Sequence, residues 1–345
     1  MRVPVLVDLK KIEFQEKPKP EVRSGDALVK VEYCGICGSD VHGYSGKITM
    51  QPGTVMGHEC SGVIAEVGQD VQNVRPGDRV WVKPFAQCGE CYWCQKGHFT
   101  RCMKGFERAV GLTPRYDGAF AEYILVRYPK EMLFNLPSGV SFEEGALIEP
   151  LAVSLHGVNR SRFKLGDRVV VVGAGMIGLG VVQFLKLGGA GKVIVLEISS
   201  SRSRIARELG ADVVLDPISE GEKLKDRILD LTDGTGADIV FECSGVASGL
   251  KNTINYVGSG GQIILVGLHP KELPFDFWTL LHREVEIKGS LGYHDEFNCV
   301  IDFFEKKKIN AKSYISNVIS LADLEEKGFK RLLSSQDMIK IIVRP

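Results

Sequence analysis

The sequence predicts an α/β protein in which a β-rich first part is followed by a parallel sheet with helices on both faces. Before about residue 150 the chain is rich in glycine and in alternating apolar residues, the period-two pattern of half-buried strands. After about residue 155, short apolar runs alternate with helical stretches, which is typical of a doubly wound parallel sheet. The length of 345 residues favours about two domains.

Two strands are predicted in the first part, one from an alternating apolar pattern and one from a turn signal. Apolar residues occupy alternate positions over residues 27–33, as expected for a strand with one buried face. Residues 79–83 form a short apolar run that directly follows the turn signal Pro-Gly-Asp at residues 76–78. Long helical periods are absent from this part of the sequence.

The second part opens with a continuous β-branched run at residues 168–172, as expected for a strand buried on both faces. A helix is predicted through Leu187 and another at residues 200–209, where Gly210 is placed to end it. Further strands are predicted at residues 192–197, 213–215, 238–242, 262–266 and 286–288.

The last part of the chain is predicted to hold helices at residues 295–308 and 321–334 and a strand at residues 338–343. Because the parallel sheet already has six candidate strands, we expect this tail to pack back on the first domain. Cys243 and Cys299 are both predicted to lie in buried elements.

The bulk composition excludes several functional classes. A formal net charge of zero gives no support for binding to nucleic acid or to an acidic membrane surface. The N-terminus lacks the apolar core of a signal peptide, and glycines interrupt the apolar stretch at residues 169–187, which argues against a membrane span. Nine cysteines, several of them closely spaced, favour metal binding in a reducing cytoplasm over disulfide bonds.

Four of these cysteines follow the spacing C-x2-C-x2-C-x7-C. They are Cys88, Cys91, Cys94 and Cys102. Four thiolates this close in sequence can surround one tetrahedral zinc ion, and a complete set of four leaves no open position for a substrate. The run therefore predicts a structural zinc site rather than a reaction centre.

A glycine motif, Gly173-Ala174-Gly175-Met176-Ile177-Gly178, follows the buried strand and opens the next helix. In this context Gly173 permits a tight turn, Gly175 lets the backbone approach a pyrophosphate, and Gly178 lets the helix pack on the strand. The start of the helix offers free N–H groups to phosphate. The motif therefore predicts a dinucleotide site.

Glu197 ends the next predicted strand, about twenty residues after the motif, where this fingerprint expects an acid. A carboxylate there can accept both hydroxyl groups of an adenosine ribose and repel a 2′-phosphate, which favours NAD over NADP. Arg202 and Arg204 lie nearby, and arginine can receive a 2′-phosphate, so NADP stays an alternative.

A second set of metal-donor residues is dispersed along the first part. Residues 34–42 read Cys-Gly-Ile-Cys-Gly-Ser-Asp-Val-His, residues 57–59 read Gly-His-Glu, and residues 149–150 read Glu-Pro. These segments could meet only through folding. A catalytic zinc needs about three protein ligands and one open position, which such a set could supply.

On these segments the chain resembles the zinc-containing medium-chain dehydrogenase/reductase superfamily over essentially its full length. The resemblance is carried by residues 37–42, residues 57–59, the four-cysteine run, residues 166–169 and the glycine motif. It implies a GroES-like catalytic domain with two zinc sites over residues 1–153, a Rossmann NAD-binding domain over residues 154–292, and a return to the catalytic domain over residues 293–345. It also implies a homo-oligomer, a dimer or a tetramer.

The resemblance assigns the catalytic zinc to four residues. Cys37 and His58 match the usual ligands of the family. Glu59 and Glu149 match glutamates placed around the metal in its sorbitol, butanediol and threonine dehydrogenases, and water can replace one of them. Two zinc ions per chain are therefore expected.

The resemblance also assigns a proton relay. Ser39 would hydrogen-bond the substrate oxygen, and the proton would pass through the nicotinamide ribose to His42 and solvent. Asp40 would orient His58 through its second ring nitrogen. The further residues implied to contact the cofactor are Ile177, Arg202, Val266, Gly267, Leu268, Ser290 and Leu291.

The function that follows is the zinc-dependent, NAD-linked oxidation of a secondary alcohol, a small vicinal diol or polyol, to a ketone. An L-threonine 3-dehydrogenase is the alternative within the superfamily. A nucleotide-binding protein without catalysis on the same scaffold is a remote alternative, because Cys37, Ser39, His42, His58 and Glu59 are all present.

Overall fold

The computed structural model describes residues 1–269 and 272–345 and divides into two compact units. The first unit comprises Met1–Glu149 together with Phe297–Pro345, and the second comprises Pro150–Glu296. The tail of the chain therefore belongs to the same compact unit as its N-terminal part.

The strands are short and alternate with loops in the first unit and with helices in the second. They are β1 (Arg2–Asp8), β2 (Lys11–Glu16), β3 (Ala27–Gly35), β4 (Glu59–Val67), β5 (Arg79–Val82), β6 (Tyr123–Val126), β7 (Leu133–Asn135), β8 (Arg168–Val172), β9 (Lys192–Leu196), β10 (Val213–Leu215), β11 (Ala237–Glu242), β12 (Val257–Leu265), β13 (Glu286–Gly289), β14 (Ile315–Ser320) and β15 (Lys340–Arg344).

Most of the longer α-helices lie in the second unit, whereas Glu296–Glu305 lies almost wholly in the first. The α-helices are α1 (Gly38–Ser45), α2 (Tyr92–Gln95), α3 (Pro129–Met132), α4 (Phe142–Gly145), α5 (Ile148–Arg160), α6 (Met176–Leu187), α7 (Ser200–Glu208), α8 (Pro217–Glu220), α9 (Leu224–Leu231), α10 (Ala247–Tyr256), α11 (Phe277–His282), α12 (Glu296–Glu305) and α13 (Arg331–Ser334). Single 3₁₀ turns occur at Phe99–Arg101, Phe106–Arg108, Gly221–Lys223, Ala311–Ser313 and Leu321–Asp323, and Leu324–Lys330 is a π-helix.

The first unit is built on one mixed sheet in the order β14-β15-β3-β4-β5-β7, with β6 also paired to β3 and with β1 and β2 forming a separate hairpin. Antiparallel pairing places Gly35 of β3 opposite Glu59 of β4 and opposite Ile342 of β15. The end of β3 therefore lies between two strands that are far apart in sequence. Both strands contribute to one buried polar site.

The second unit holds six parallel strands in the order β10-β9-β8-β11-β12-β13, which confirms the predicted parallel sheet. Strands β8, β9 and β10 follow one another toward one edge of the sheet. The chain then returns to the middle, where β11 pairs with β8, and β12 and β13 follow toward the opposite edge. This reversal creates a crevice at the carboxyl ends of β8 and β11, where open α/β sheets bind their ligands.

Three features differ from the sequence-based expectation. The helix predicted at residues 321–334 is three short pieces of 3₁₀, π and α geometry. Strand β12 begins at Val257 rather than residue 262, because its first half is rich in glycine and carries little apolar signal. Cys299 was predicted to be buried but is exposed, because Phe297, Val300 and Phe304 form the buried face of α12.

Across residues 1–269 and 272–345, no helix combines the length and the apolar character needed to cross a membrane. The apolar residues 169–187 comprise the end of a buried strand, the glycine turn and a single helix of the second unit.

Candidate functional site

Three of the dispersed metal-donor residues come together in the first unit. Cys37 is the residue before α1, His58 directly precedes β4, and Glu59 is the first residue of that strand. One donor atom from each of the three lies within 4.8 Å of the others. A thiol, an imidazole and a carboxylate at this spacing fit a zinc ion with one open position.

The imidazole of His58 is held through both ring nitrogens. Its Nδ1 lies 3.4 Å from Oδ1 of Asp40, a carboxylate with no exposed surface, and its Nε2 lies 3.4 Å from Oγ of Ser39. Burial lowers the pKa of His58, but Asp40 and then Cys37 outweigh it and hold that pKa well above its ordinary value. Asp40 therefore lies where its carboxylate can orient the ring, while the other ring nitrogen faces Ser39.

Glu59 is paired with a residue that the sequence analysis did not identify. The ammonium of Lys340, in β15, donates to Oε1 and Oε2 of Glu59 at 2.8 and 2.7 Å and to the carbonyl oxygen of Ile36 at 2.9 Å. Both side chains are buried. Burial lowers the pKa of Lys340, but the Glu59 carboxylate outweighs it, so the pKa lies above its ordinary value.

Gly35 explains why the Glu59 carboxylate fits at this place. A Cβ at position 35 would lie 2.2 Å from Oε2 of Glu59, so the absence of a side chain leaves the space that the carboxylate fills. The signal for Lys340 in the sequence was a single lysine in an otherwise apolar predicted strand. A buried lysine needs a charged partner, but the sequence does not reveal which one.

Glu149 is buried close to this cluster but is not part of it. Burial first, and then the charge of Glu59, raise the pKa of Glu149 to about 7. Its carboxylate oxygens fall outside the set of donor atoms that lie within 4.8 Å of one another. The structure thus brings Cys37, His58 and Glu59 together and leaves Glu149 beside them.

Helix α1 also carries the two residues predicted to move a proton. Ser39 and His42 are three residues apart and so lie on neighbouring positions of one helix face. Both are partly exposed, whereas Asp40 between them is buried. Burial and the charge of Lys47 lower the pKa of His42, which favours the neutral imidazole that can accept a proton.

The four-cysteine run folds into a small lobe of the first unit. One sulfur atom from each of Cys88, Cys91, Cys94 and Cys102 lies within 4.8 Å of the others, and the sulfurs of a tetrahedral zinc–thiolate site lie about 3.8 Å apart. Backbone N–H groups of Cys88 and Cys91 point at sulfur atoms of the set, each at 3.3 Å. The lobe therefore fits a zinc ion that has no open position.

The thiols of the lobe differ in acidity. Backbone hydrogen bonds from Met103 and Cys94 lower the pKa of Cys91 to about 6, whereas burial raises the pKa of Cys94 to about 12. A bound metal stabilises thiolates and would remove this difference.

In the second unit, the glycine motif has the geometry that its sequence predicts. Gly173 follows β8 with φ +90°, a value that favours glycine, and a Cβ at Gly178 would lie 1.9 Å from the carbonyl oxygen of Gly173. A Cβ at Gly175 would meet no atom within 4 Å, so the start of α6 faces open space. This arrangement can accept a pyrophosphate.

Glu197 ties the end of β9 to this turn. One carboxylate oxygen accepts the N–H of Ala174 at 2.7 Å, and the other accepts the N–H groups of Ile198 and Ser199 at 3.0 and 2.9 Å. A carboxylate has about four acceptor positions, so one is left for a ribose hydroxyl. Glu197 is thus both a support of the glycine turn and a candidate ribose ligand.

The other predicted cofactor residues occupy the same edge of the sheet. Residues 266–268 follow β12, residues 290–291 follow β13, and the side chains of Leu268 and Leu291 are 48 and 66% exposed. The carbonyl oxygen of Ile177 accepts the Ser154 hydroxyl at 3.0 Å. Arg202 lies in the first turn of α7, where its N–H is 3.3 Å from Oγ of Ser199.

The same edge holds a buried polar pair that the sequence patterns do not indicate. Glu242, at the end of β11, accepts from the backbone N–H of Ser244 at 3.0 Å and contacts Nε2 of His269 at 2.5 Å. Glu242 ends β11, which flanks the reversal of strand order, and His269 follows the neighbouring strand β12, so this pair joins the two segments beside the crevice. An acid at a strand end gives no sequence signal that distinguishes it from a solvated one.

Comparison with known proteins agrees with both units. Residues 23–138 match the family described as alcohol dehydrogenase GroES-like domain, and residues 177–306 match the family described as zinc-binding dehydrogenase. The chain is 37% identical to (R,R)-butanediol dehydrogenase of Bacillus subtilis (strain 168), over 97% of this chain and 96% of that protein. It is 34% identical to sorbitol dehydrogenase of Halalkalibacterium halodurans, over 96 and 95%.

Among solved structures, the chain is similar to a protein of Sinorhizobium meliloti 1021 described as a zinc-binding dehydrogenase and bound to NADP. The TM-score is 0.90 at 32% identity, covering 100% of this chain and 99% of that chain.

Proposed function

The chain belongs to the zinc-containing medium-chain dehydrogenase/reductase superfamily, and on this basis we propose that it oxidises a small vicinal diol or polyol to the corresponding hydroxyketone with NAD as the hydride acceptor. The single observation that carries the proposal is the cluster of Cys37, His58 and Glu59 beside Ser39, on a helix that also presents His42. The names of the two relatives, a butanediol and a sorbitol dehydrogenase, support the substrate class.

The proposed mechanism assigns a task to each of these residues. When bound, zinc supplies a Lewis acid that makes a hydroxyl group more acidic, and NAD supplies the site that accepts a hydride. Cys37 and His58 would hold the metal, with Glu59 or Glu149 as the further protein ligand. Asp40 would keep the His58 ring in one orientation.

Ser39 and His42 would move the proton. The Ser39 hydroxyl lies within 3.4 Å of a donor atom of the proposed metal site, so it can hydrogen-bond a substrate oxygen bound there. His42 has a lowered pKa and is partly exposed, which suits a group that takes a proton and gives it to solvent.

A direct spectrophotometric assay of NAD reduction tests this function. Purified enzyme loaded with zinc would be offered the stereoisomers of 2,3-butanediol, sorbitol, xylitol and L-threonine. We expect turnover with a diol or polyol. Turnover with threonine alone would instead identify an L-threonine 3-dehydrogenase, and nucleotide binding without oxidation of any alcohol would contradict a catalytic role.

We propose two zinc ions per chain and a preference for NAD over NADP, although the similar Sinorhizobium protein was solved with NADP. The preference would rest on the carboxylate of Glu197, at the edge of the glycine turn. A negative charge there disfavours a 2′-phosphate, whereas Arg202 on α7 could bind one.

Replacing Glu197 with glutamine should relax this preference. Glutamine keeps one of the two oxygens that accept backbone N–H groups, places an NH2 group at the other position and removes the charge. Because the charge that disfavours a 2′-phosphate is lost, the ratio of kcat/KM for NAD to that for NADP should fall about tenfold, the equivalent of about 1.4 kcal/mol. Glu222→Gln, which removes an exposed charge from the same unit, is the matched control. An unchanged ratio in Glu197→Gln would place the discrimination at another residue.

We also propose that the protein assembles as a homo-oligomer in the cytoplasm. Helix α11 exposes Phe277, Trp278 and Leu281 by 67, 73 and 69%, and β13 ends the parallel sheet in the part of the chain that the structure describes. The outer edge of such a terminal strand, beside apolar side chains, can pair with a second copy. We expect a solution mass of two or four chains by light scattering, and Trp278→Glu should lower it.

A further inference from the structure

Helix α1, which carries Ser39 and His42, is held at its far end by Tyr44. The Tyr44 side chain is 1% exposed and plays no part in the proposed chemistry. Its hydroxyl oxygen lies 2.8 Å from Oε1 of Glu325 and 3.0 Å from the carbonyl oxygen of Lys10. A phenol has one proton to donate, and the ionised carboxylate is the stronger acceptor of the two.

Glu325 belongs to the π-helix Leu324–Lys330. A second residue of this π-helix, Phe329, also contacts Tyr44 of α1. The ring of Phe329 stacks on that of Tyr44 with centroids 4.8 Å apart and planes 12° apart. Phe329 is fully buried and packs edge-on against Phe120, with ring centroids 6.1 Å apart. Glu325 and Phe329 thus approach one tyrosine from the same segment.

The same π-helix also reaches the residue before Cys37. A Cβ at Gly328 would lie 2.8 Å from Cδ1 of Ile36, so the backbone of this segment packs closely against that side chain. The π-helix therefore contacts both ends of the stretch from Ile36 to Tyr44, which includes the proposed zinc ligand and both proposed relay residues. Segments of π geometry are rare and often occur beside functional sites. The position of this π-helix against the stretch from Ile36 to Tyr44 fits that pattern.

The Tyr44 hydroxyl stays protonated over the working range of pH. Burial first, and then the hydrogen bond to Glu325, raise the pKa of Tyr44 well above its ordinary value. The phenol is thus a permanent donor, and its bond to a carboxylate is of the stronger, charge-assisted kind.

We propose that Tyr44 is a positioning residue for the proton relay: its hydrogen bond to Glu325, with the stack on Phe329, fixes the last turn of α1 and so the place of His42 relative to Ser39. His42 lies two residues before Tyr44 in that turn. Misplacement of a catalytic group by about 1 Å can cost a hundredfold in rate. This inference rests on the proposed function, because it concerns the residues of that relay.

The test is a set of variants in the zinc-loaded full chain. Tyr44→Phe keeps the ring and its stack but removes the hydrogen bond, and we expect kcat to fall roughly ten- to hundredfold while KM for NAD changes less than twofold. The solvent deuterium isotope effect on kcat should rise, because proton transfer becomes slower. Glu325→Gln keeps an acceptor and should retain most of kcat, whereas Glu325→Ala should resemble Tyr44→Phe.

The double variant Tyr44→Phe/Glu325→Ala should be no slower than either single variant, because both remove the same bond. Glu326→Gln, at the exposed neighbouring residue that pairs with Lys330, is the matched control and should leave kcat unchanged. Unchanged kcat and isotope effect in Tyr44→Phe, or additive losses in the double variant, would overturn the inference.

A measurement without turnover separates this inference from the proposed function. If the wild-type protein oxidises no alcohol, the proposed function fails, but hydrogen exchange of the amides at residues 38–45 still tests the contact. Exchange there should be faster in Tyr44→Phe than in the wild type, and equal rates would contradict the positioning role.

Discussion

Replacing Cys37 with serine is expected to abolish alcohol oxidation while the protein stays folded. The thiolate is one of the three donor groups that converge within 4.8 Å, and a serine hydroxyl is a far weaker zinc ligand. Loss of Lewis-acid assistance worth several kcal/mol corresponds to a fall in kcat of about a thousandfold or more. Helix α1 should persist, because serine is a favourable residue at the position before a helix.

Metal analysis gives this prediction a second measurement. The wild-type protein should contain about two zinc ions per chain and Cys37→Ser about one, since the four cysteines of the lobe are untouched. Cys299→Ser makes the same chemical change at an exposed cysteine and should leave both zinc content and kcat unchanged. A Cys37→Ser protein with two zinc ions and normal turnover would contradict the assignment of the reaction to this site.

The parts of the site whose local geometry follows from the sequence are those encoded within short segments. The glycine motif predicts a turn, a helix start and an open approach, and Gly173, Gly175 and Gly178 take those roles because each depends on local backbone geometry. Likewise, the four cysteines lie within fifteen residues that fold into short helical turns, so local structure alone brings their sulfur atoms together. Local spacing carries enough information in both cases.

The parts that the sequence did not predict depend on strand pairing and on helix geometry. Lys340 meets Glu59 across 281 residues, because β15 pairs with β3 on the side opposite β4. The amphipathic pattern of residues 321–334 predicts a helix, but it does not distinguish the π geometry that directs Glu325 and Phe329 to Tyr44. Single-sequence patterns indicate that an element exists and leave its partners undetermined.

Glu149 shows a third kind of limit. The resemblance places it around the metal together with Glu59, and the structure leaves its oxygens outside the converged donor set. Burial and the Glu59 charge raise its pKa to about 7, so near neutral pH this carboxyl is divided between its protonated and ionised forms. Which glutamate would bind a metal would thus depend on the charge balance of a buried cluster, and residue identities do not encode that balance.

Replacing Lys340 with methionine is expected to destabilise the metal-free protein more than any surface substitution. Methionine approximates the length of the side chain but leaves the Glu59 carboxylate buried without its counterion. Removing one partner of a buried ion pair costs about 3–5 kcal/mol in free energy of unfolding. The zinc-loaded protein should lose less, because the positive charge of a bound metal would also act as a counterion for the Glu59 carboxylate.

The double variant Lys340→Met/Glu59→Gln identifies the cause of this loss. With no charge left to compensate, the metal-free double variant should recover much of the lost free energy of unfolding, measured by urea denaturation, even though it lacks both partners of the pair. A loss from simple packing defects would instead make the double variant less stable than the single one. Recovery in the absence of metal would show that Lys340 serves as the counterion of the buried Glu59 carboxylate beside the proposed zinc site.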